Sequence, residues 1–237
     1  MSLWNIFAKD THGALKKYAS RVANKRAQAP DRWEAIKVLA EMKNEEAVAA
    51  LLVRFTYTTD PSITDQEEKD AVFDAVLDAK EVSVAPVKRF LARAESLGWP
   101  LKLLEALLNE QEVLSELLAV LEKMDTEYER DPQRKIQILV VLEERSDPRI
   151  GEVVERFVED VNETARFHAV GVLLAQSDSE RFQERLMNLL GHEESLRVRA
   201  RILDGFAHKG WSVKPLGKAL NLPVGYRLNP HGVPQKA

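Results

Sequence analysis

The chain has 237 residues, of which 45% are hydrophobic, 30% charged and 7% aromatic, proportions typical of a globular protein with a substantial core. It contains no cysteine, which excludes a disulfide framework, a thiolate metal site and a cysteine nucleophile. The net charge of −4 argues against a protein that coats nucleic acid through a generally basic surface. We expect a cytoplasmic protein without a secretion signal or a membrane-spanning segment.

Charge is unevenly distributed along the chain. Residues 1–30 and 205–237 each carry a net charge of +5. Because the whole chain carries −4, residues 31–204 between them carry −14. An acidic middle of this kind repels a phosphate backbone.

The first predicted element is a basic amphipathic helix within residues 1–30. An apolar stripe runs through Leu15 and Val22, and most of the lysines and arginines lie off this stripe. The pattern predicts a helix that caps the exposed end of a helical array. The alternative is a helix that lies on an anionic membrane surface with Trp4 and Phe7 inserted.

Residues 31–221 show the periodicity of amphipathic helices, and no segment has the alternating pattern of a strand. Asp131-Pro132 and Asp147-Pro148 each predict an N-cap followed by a proline at the first helical position. Capping boxes are predicted at Thr64–Glu67 and Ser177–Glu180. The predicted helical pairs are 31–43 with 45–56, 65–80 with 84–95, 99–109 with 111–124, 132–145 with 148–159, 162–176 with 179–190, and 194–209 with 212–221.

The helical pairs recur every 31 to 38 residues. A period of this size predicts an α-solenoid, because one helical hairpin cannot bury its apolar face alone and neighbouring hairpins must stack. When the first helices of the six pairs are aligned with one another, the equivalent positions are Arg32, Asp70, Leu101, Lys135, Arg166 and Arg199.

Three of the first helices resemble the first helix of a HEAT repeat. They are the segment 161–169 followed by Leu173, the segment 194–199 followed by Ile202 and Phe206, and Asp31-Arg32 followed by Ala35 and Leu39. The chain thus resembles the bacterial type of HEAT-repeat protein over about residues 31–221, although Asp70 and Leu101 depart from the pattern. The resemblance implies an all-α, right-handed α-solenoid of about six hairpins, whose second helices line a concave surface for a protein or peptide.

We predict three parts: an N-terminal capping helix at 1–30, a HEAT-like solenoid at 31–221 and an extended tail at 222–237. Prolines and glycines prevent the tail from continuing the helix. Its apolar residues, among them Val224 and Tyr226, predict that it folds back on its own chain. The alternative is that it occupies a groove of a neighbouring molecule.

No phosphate-loop, dinucleotide-binding or nucleophile-elbow pattern is present. His192-Glu193 is similar to one His-Glu dyad of the HEAT-type deoxyhypusine hydroxylases, but their di-iron site needs several dyads. Three aspartates, Asp70, Asp74 and Asp78, share one helix face, and nearby lysines, a basic partner or a cation would relieve their repulsion. We therefore predict no catalytic residue, no metal and no cofactor.

A second HEAT-like family, the alkylpurine DNA glycosylases, holds a damaged base with aromatic side chains beside a basic concave face. Here the four tryptophans are scattered, and the two basic segments belong to opposite ends of the predicted stack, roughly 50 Å apart. A HEAT-like nucleic-acid-binding protein or DNA-repair-type enzyme is thus the first alternative function. A peripheral membrane adaptor that uses residues 1–26 is the second.

The sequence therefore predicts a non-catalytic scaffold that binds a charged peptide or protein partner. It does not determine the oligomeric state. Charged residues opposite the apolar stripe of each second helix are expected to be exposed on the concave face. Reversing the charges of Arg89 and Arg156 together should weaken the partner and leave the fold intact. The predicted binding residues are Arg54, Lys88, Arg89, Glu116, Glu152, Arg156, Glu184 and Arg185.

Overall fold

The computed structural model describes residues 3–237, with side chains described for residues 12–217 and 220–237. This part of the chain is mostly helical, about 70%, which confirms the predicted all-α class. None of its helices is both long enough and apolar enough to cross a membrane. The α-helices are α1 (Leu3–Ala23), α2 (Ala29–Met42), α3 (Glu45–Leu52), α4 (Ser62–Asp78), α5 (Glu81–Leu91), α6 (Gly98–Leu107), α7 (Glu110–Leu121), α8 (Gln133–Glu143), α9 (Pro148–Val154), α10 (Glu163–Ala175), α11 (Gln183–His192) and α12 (Leu196–Lys209).

The chain divides into two compact units, and the division falls between Glu116 and Leu117, inside α7. In unit 1, α2 packs against α1, α3 and α4, while α5 packs against α3 and α6. Each of the helices α1 to α6 therefore contacts helices one or two places away along the chain. The core of this unit consists of aliphatic side chains such as Ile36, Leu51 and Val72, which are at most 2% exposed.

In unit 2, α10 is the central helix, and it packs against α8, α9 and α12. Its buried side chains, among them Ala169 and Leu173, meet the core that also contains Phe157 and Phe206, all fully buried. The helix α11 packs against α12. Small residues on α10 and aromatic residues around it thus form one continuous core within this unit.

Several helix starts differ from the predictions. Asp147 caps α9 as predicted, since its side chain accepts a hydrogen bond from the Arg149 amide. Thr64 does not cap a helix, because α4 already begins at Ser62. The box predicted at Ser177–Glu180 is also wrong: a 3₁₀ segment, Ser179–Phe182, begins there without a side-chain cap.

The starts of α8 and α7 also differ from the predictions. After Asp131, the helix α8 begins at Gln133 with Pro132 as its N-cap, one residue later than predicted, but the Asp131 side chain accepts the Gln133 amide at 3.0 Å, as the predicted cap requires. A reciprocal capping box that we did not predict opens α7, where Asn109 and Glu112 each accept the other's backbone amide at 3.0 Å.

Three predicted second helices are shorter or tighter than expected. The first continues beyond α3 as the 3₁₀ segment Val53–Thr56, and the fourth continues beyond α9 as Glu155–Glu159. The predicted helix 212–221 is a 3₁₀ segment, Lys214–Ala219. It follows Gly210, which ends α12 in the left-handed conformation at φ 70° that glycine adopts without steric cost.

The tail is a small β-hairpin rather than a purely extended segment, and the expectation that the chain has no strand is wrong here. Strand β1 (Tyr226–Leu228) pairs antiparallel with β2 (Pro234–Lys236). Gly232 at φ 81° allows the loop between them to turn, and the Asn229 side chain accepts two backbone amides within the loop. The hairpin packs on α12 of its own chain, in agreement with the predicted fold-back.

The helix α1 packs against α2 and α3, as the capping prediction requires. Val22 is fully buried, and Arg21 pairs with Glu34 of α2 at 2.7 Å. The side chains of Trp4 and Phe7, on which the membrane alternative depends, lie outside the described residues.

Candidate functional site

Arg54, predicted to be exposed, is completely buried. Its Nε lies 2.6 Å from Glu68 Oε2, and its Nη2 lies 2.6 Å from Asp65 Oδ1. Arg54 sits in the 3₁₀ segment after α3, and this tighter turn directs its side chain toward α4 instead of solvent. Arg54 is therefore removed from the predicted binding surface.

The partners of Arg54 form a buried charge cluster of three cations and two carboxylates. Arg32 Nε lies 2.9 Å from Glu68 Oε2, and Lys69 Nζ lies 2.7 Å from Asp65 Oδ2. Burial opposes the ionisation of Asp65, but hydrogen bonds from Lys69 and Arg54 outweigh it and lower the pKa of this carboxyl to about 2. Every charge has a partner within the cluster, and its ion pairs join α2, the 3₁₀ segment after α3, and α4.

A cavity of about 640 Å³ lies in unit 1, between the C-terminal half of α3, the helix α5 and the start of α6. Its volume is that of a ligand pocket. Three aromatic side chains line it, Phe55, Phe90 and Trp99. The rings of Phe55 and Trp99 stack with centroids 4.7 Å apart, and those of Phe55 and Phe90 are 6.3 Å apart.

Two arginines lie at the rim of this cavity. Arg89, a predicted binding residue, is exposed and pairs with Glu45 of α3 at 2.9 Å. Arg93, in the turn after α5, was not predicted; it is exposed, and its guanidinium has no partner among the residues that the structure describes. The rim therefore has one guanidinium in an ion pair, that of Arg89, and one without a described partner, that of Arg93, and both lie beside the three aromatic rings.

The other predicted residues of unit 1, Lys88 and Glu116, pair with each other at 2.8 Å. Their side chains are 36% and 27% exposed, respectively. An exposed pair of this kind contributes at most about 1 kcal/mol to stability, so both charges remain accessible to a partner.

In unit 2, Arg156 has a structural contact that the sequence did not predict. One of its guanidinium nitrogens donates hydrogen bonds to the backbone carbonyls of Leu121 and Glu122, at 3.0 and 2.9 Å, and to that of Met124. Leu121 is the last residue of α7, and Glu122 and Met124 follow it, so Arg156 binds carbonyls at and just beyond the C-terminal end of this helix, where intrahelical donors run out. Reversing the charge of Arg156 would therefore remove these hydrogen bonds as well as a surface charge, and the prediction that the double reversal with Arg89 leaves the fold intact stays a prediction.

The remaining predicted residues of unit 2 are not brought together at one cavity. Arg185 pairs with Glu159 at 3.0 Å, and Glu152 lies 4.0 Å from Arg181. Glu184 is exposed. They form separate surface contacts, and their predicted role in binding stays a prediction.

A charged and aromatic cluster on α8, α10 and α12 was missed by the sequence analysis. Glu143 accepts hydrogen bonds from both His168 and Arg201. Arg201 also lies over the ring of Phe167, with its guanidinium carbon 4.4 Å from the ring centroid. Gly171 makes room for it, since a Cβ there would lie 2.1 Å from the guanidinium. The cluster joins three helices of unit 2.

The side chains considered for metal binding have other partners. Glu193 pairs with Arg166 at 2.8 Å; burial opposes its ionisation, but the hydrogen bonds from Arg166 and the Ser195 amide keep its pKa below the ordinary value. Among the three aspartates on one face of α4, Asp78 pairs with Lys43: the Lys43 Nζ lies 2.5 Å from Asp78 Oδ2. Among the described residues, no three His, Cys, Asp or Glu side chains are grouped so that they could hold a metal ion.

Comparison with known proteins gave no match: no family model matches the chain, and no curated protein or solved structure is significantly similar to it.

Proposed function

We propose that the chain is a non-catalytic protein-binding scaffold of the cytoplasm, built as an α-solenoid of degenerate HEAT-like helical pairs. Three observations support the repeat assignment: helices pair in sequence, each of the helices α1 to α6 contacts helices one or two places away, and three first helices carry the HEAT-like pattern. The absence of cysteine supports a reducing compartment.

The aromatic cavity of unit 1 carries the proposal of binding. It lies beside α3 and α5, which are second helices of their pairs, and these helices line the binding face in the family that the chain resembles. Arg89, predicted from the sequence as a binding residue, is at its rim. Aromatic and arginine side chains are enriched at protein interfaces because they combine large apolar area with directed hydrogen bonds.

Selection of random peptides displayed on phage against the immobilised full chain tests this function. We expect peptides to be enriched that bind the full chain in solution, and that lose about tenfold or more in affinity when Phe90 is replaced by Ala. Enrichment of no binding peptide at all would contradict the scaffold function.

Binding of single-stranded nucleic acid is the second candidate, because arginines and aromatic side chains meet at one cavity, which is the combination that holds unpaired bases. It predicts that a fluorescent oligonucleotide binds the chain with an affinity that falls steeply as salt is raised. Measuring this affinity at two salt concentrations separates the two candidates.

A further inference from the structure

We infer that the cavity of unit 1 recognises an acidic peptide segment in which a large apolar side chain stands next to a carboxylate. The apolar side chain lies against Phe55, Phe90 and Trp99, and the carboxylate pairs with Arg93. This inference rests on the proposed scaffold function and specifies what the scaffold binds.

The rings of Phe55, Phe90 and Trp99 explain why the ligand has a large apolar side chain. The three rings are half-buried in the free protein, and the cavity of about 640 Å³ has room for a large side chain with its neighbouring backbone. Covering these rings removes aromatic surface from water, which favours binding.

Arg89 and Arg93 explain why the ligand has a carboxylate. Arg93 is exposed without a partner among the described residues, so a ligand carboxylate pairs with it without displacing another group. Arg89 is bound to Glu45, but both side chains are 54% exposed, and an exposed pair of this kind is easily exchanged. A planar guanidinium binds a carboxylate through two parallel hydrogen bonds.

Cationic groups outnumber carboxylates around the rings, since Glu95 is the one carboxylate in the lining, and this disfavours a cationic ligand. Three aromatic rings around a cavity are also a means of holding a quaternary ammonium. Here, however, Lys102 Nζ already lies 4.9 Å from the centroid of the Trp99 ring, and the two arginines stand at the rim. A ligand cation would meet repulsion from these groups, whereas a carboxylate is attracted by them.

The arrangement of the rings favours a peptide over a nucleic acid. Phe55 and Trp99 stack on each other at 4.7 Å, so a base does not fit between them, and stacking is what holds an unpaired base. An apolar side chain beside a single carboxylate needs no gap between the rings.

The test repeats the peptide selection in parallel on the unaltered chain and on two variants. Arg93→Glu reverses the charge that binds the carboxylate. Ala49→Trp fills the cavity from its rim, because Ala49 is an exposed lining residue on α3. Arg26→Glu is the matched control, since Arg26 is also exposed in a turn of unit 1, and its guanidinium has no partner among the described residues. Circular dichroism shows whether each variant keeps its helices.

The unaltered chain and Arg26→Glu should select peptides with an aromatic or large aliphatic residue beside Asp or Glu. Arg93→Glu should select Lys or Arg beside the same apolar residue, and Ala49→Trp should lose the apolar preference. In fluorescence anisotropy, the best acidic peptide should bind Arg93→Glu and Ala49→Trp about tenfold more weakly or worse.

Two outcomes would overturn the inference and are distinguishable from failure of the scaffold function. If peptides are enriched but share the same motif on the unaltered chain and on Arg93→Glu, the scaffold function stands and the cavity is not its acidic-peptide site. If oligonucleotides bind and compete at the cavity while peptides do not, both the inference and the scaffold function fail.

Discussion

Arg54 lies at a helical position that is expected to face solvent, yet it is part of the core of unit 1. Its two carboxylate partners stand 11 and 14 residues away along the chain, so no local pattern reveals them. Periodicity assigns a charged residue to the surface by default, and only a distant partner reverses that assignment. Arg32, identified as a repeat anchor, is buried for the same reason.

Replacing Glu68 by Gln should strongly destabilise the protein. The change keeps the volume of the side chain but leaves the buried guanidinium groups of Arg32 and Arg54 with one carboxylate fewer. Breaking a buried ion pair from one side costs about 3–5 kcal/mol, which urea denaturation at neutral pH measures. Glu67→Gln, at the exposed neighbouring position, should change the free energy of unfolding by less than about 0.5 kcal/mol. Equal effects of the two changes would contradict the structural role of the cluster.

Asp65 should make the stability depend on acid pH. Its pKa is about 2 in the folded protein, against an ordinary value of 3.8. A lowered folded-state pKa contributes stability that is present above about pH 4 and is lost as the pH falls toward 2, in total about 2 kcal/mol. The difference in unfolding free energy between the unaltered chain and Asp65→Asn should therefore narrow by this amount over that range. A difference that stays constant would show that Lys69 and Arg54 do not hold the carboxylate charged.

The helices themselves were largely predictable, because amphipathic periodicity and caps are local properties. Their ends were less so. Ser177 and Thr64 both have a side chain that can cap a helix, but packing decides whether a helix begins there. The tail hairpin was missed because its strands are three residues long and its turn depends on Gly232 and the side chain of Asn229.

The contrast between two predicted caps is directly testable. Asp147→Ala should destabilise the protein by about 1 kcal/mol, because it removes the acceptor for the Arg149 amide at the start of α9. Thr64→Ala should be neutral or slightly stabilising, since Thr64 lies within α4 and alanine has the higher helix propensity. Thermal unfolding of the two variants measures both effects. A larger loss from Thr64→Ala would mean that α4 begins where the sequence pattern placed it.

At the scale of the whole molecule, the candidate cavity was only partly predictable. Arg89 was identified as a binding residue, but Phe55, Phe90 and Trp99 come from three separate elements and carry no shared motif. Their meeting depends on how α3, α5 and α6 pack, which is a tertiary property. Arg93 was missed although it falls in the predicted helix 84–95: α5 ends at Leu91, so Arg93 stands in the following turn, where helical periodicity does not determine the direction of a side chain.

The tail should stabilise the end of unit 2. Its hairpin gives the Val213 amide an acceptor at Gly232, 2.9 Å away, and Tyr226 Oη donates to Asp204 Oδ1 of α12 at 2.7 Å. Burial and this hydrogen bond raise the pKa of Tyr226 to about 12. Each bond contributes about 0.5–1.5 kcal/mol, so deletion of residues 222–237 should lower the protection of α12 amides from hydrogen exchange by about tenfold or more.

Val224→Ser, at a fully exposed position of the tail, should leave that protection unchanged. If the deletion does not alter α12 either, the tail does not pack on its own chain in solution, and its binding to a neighbouring molecule becomes the better explanation of its apolar residues.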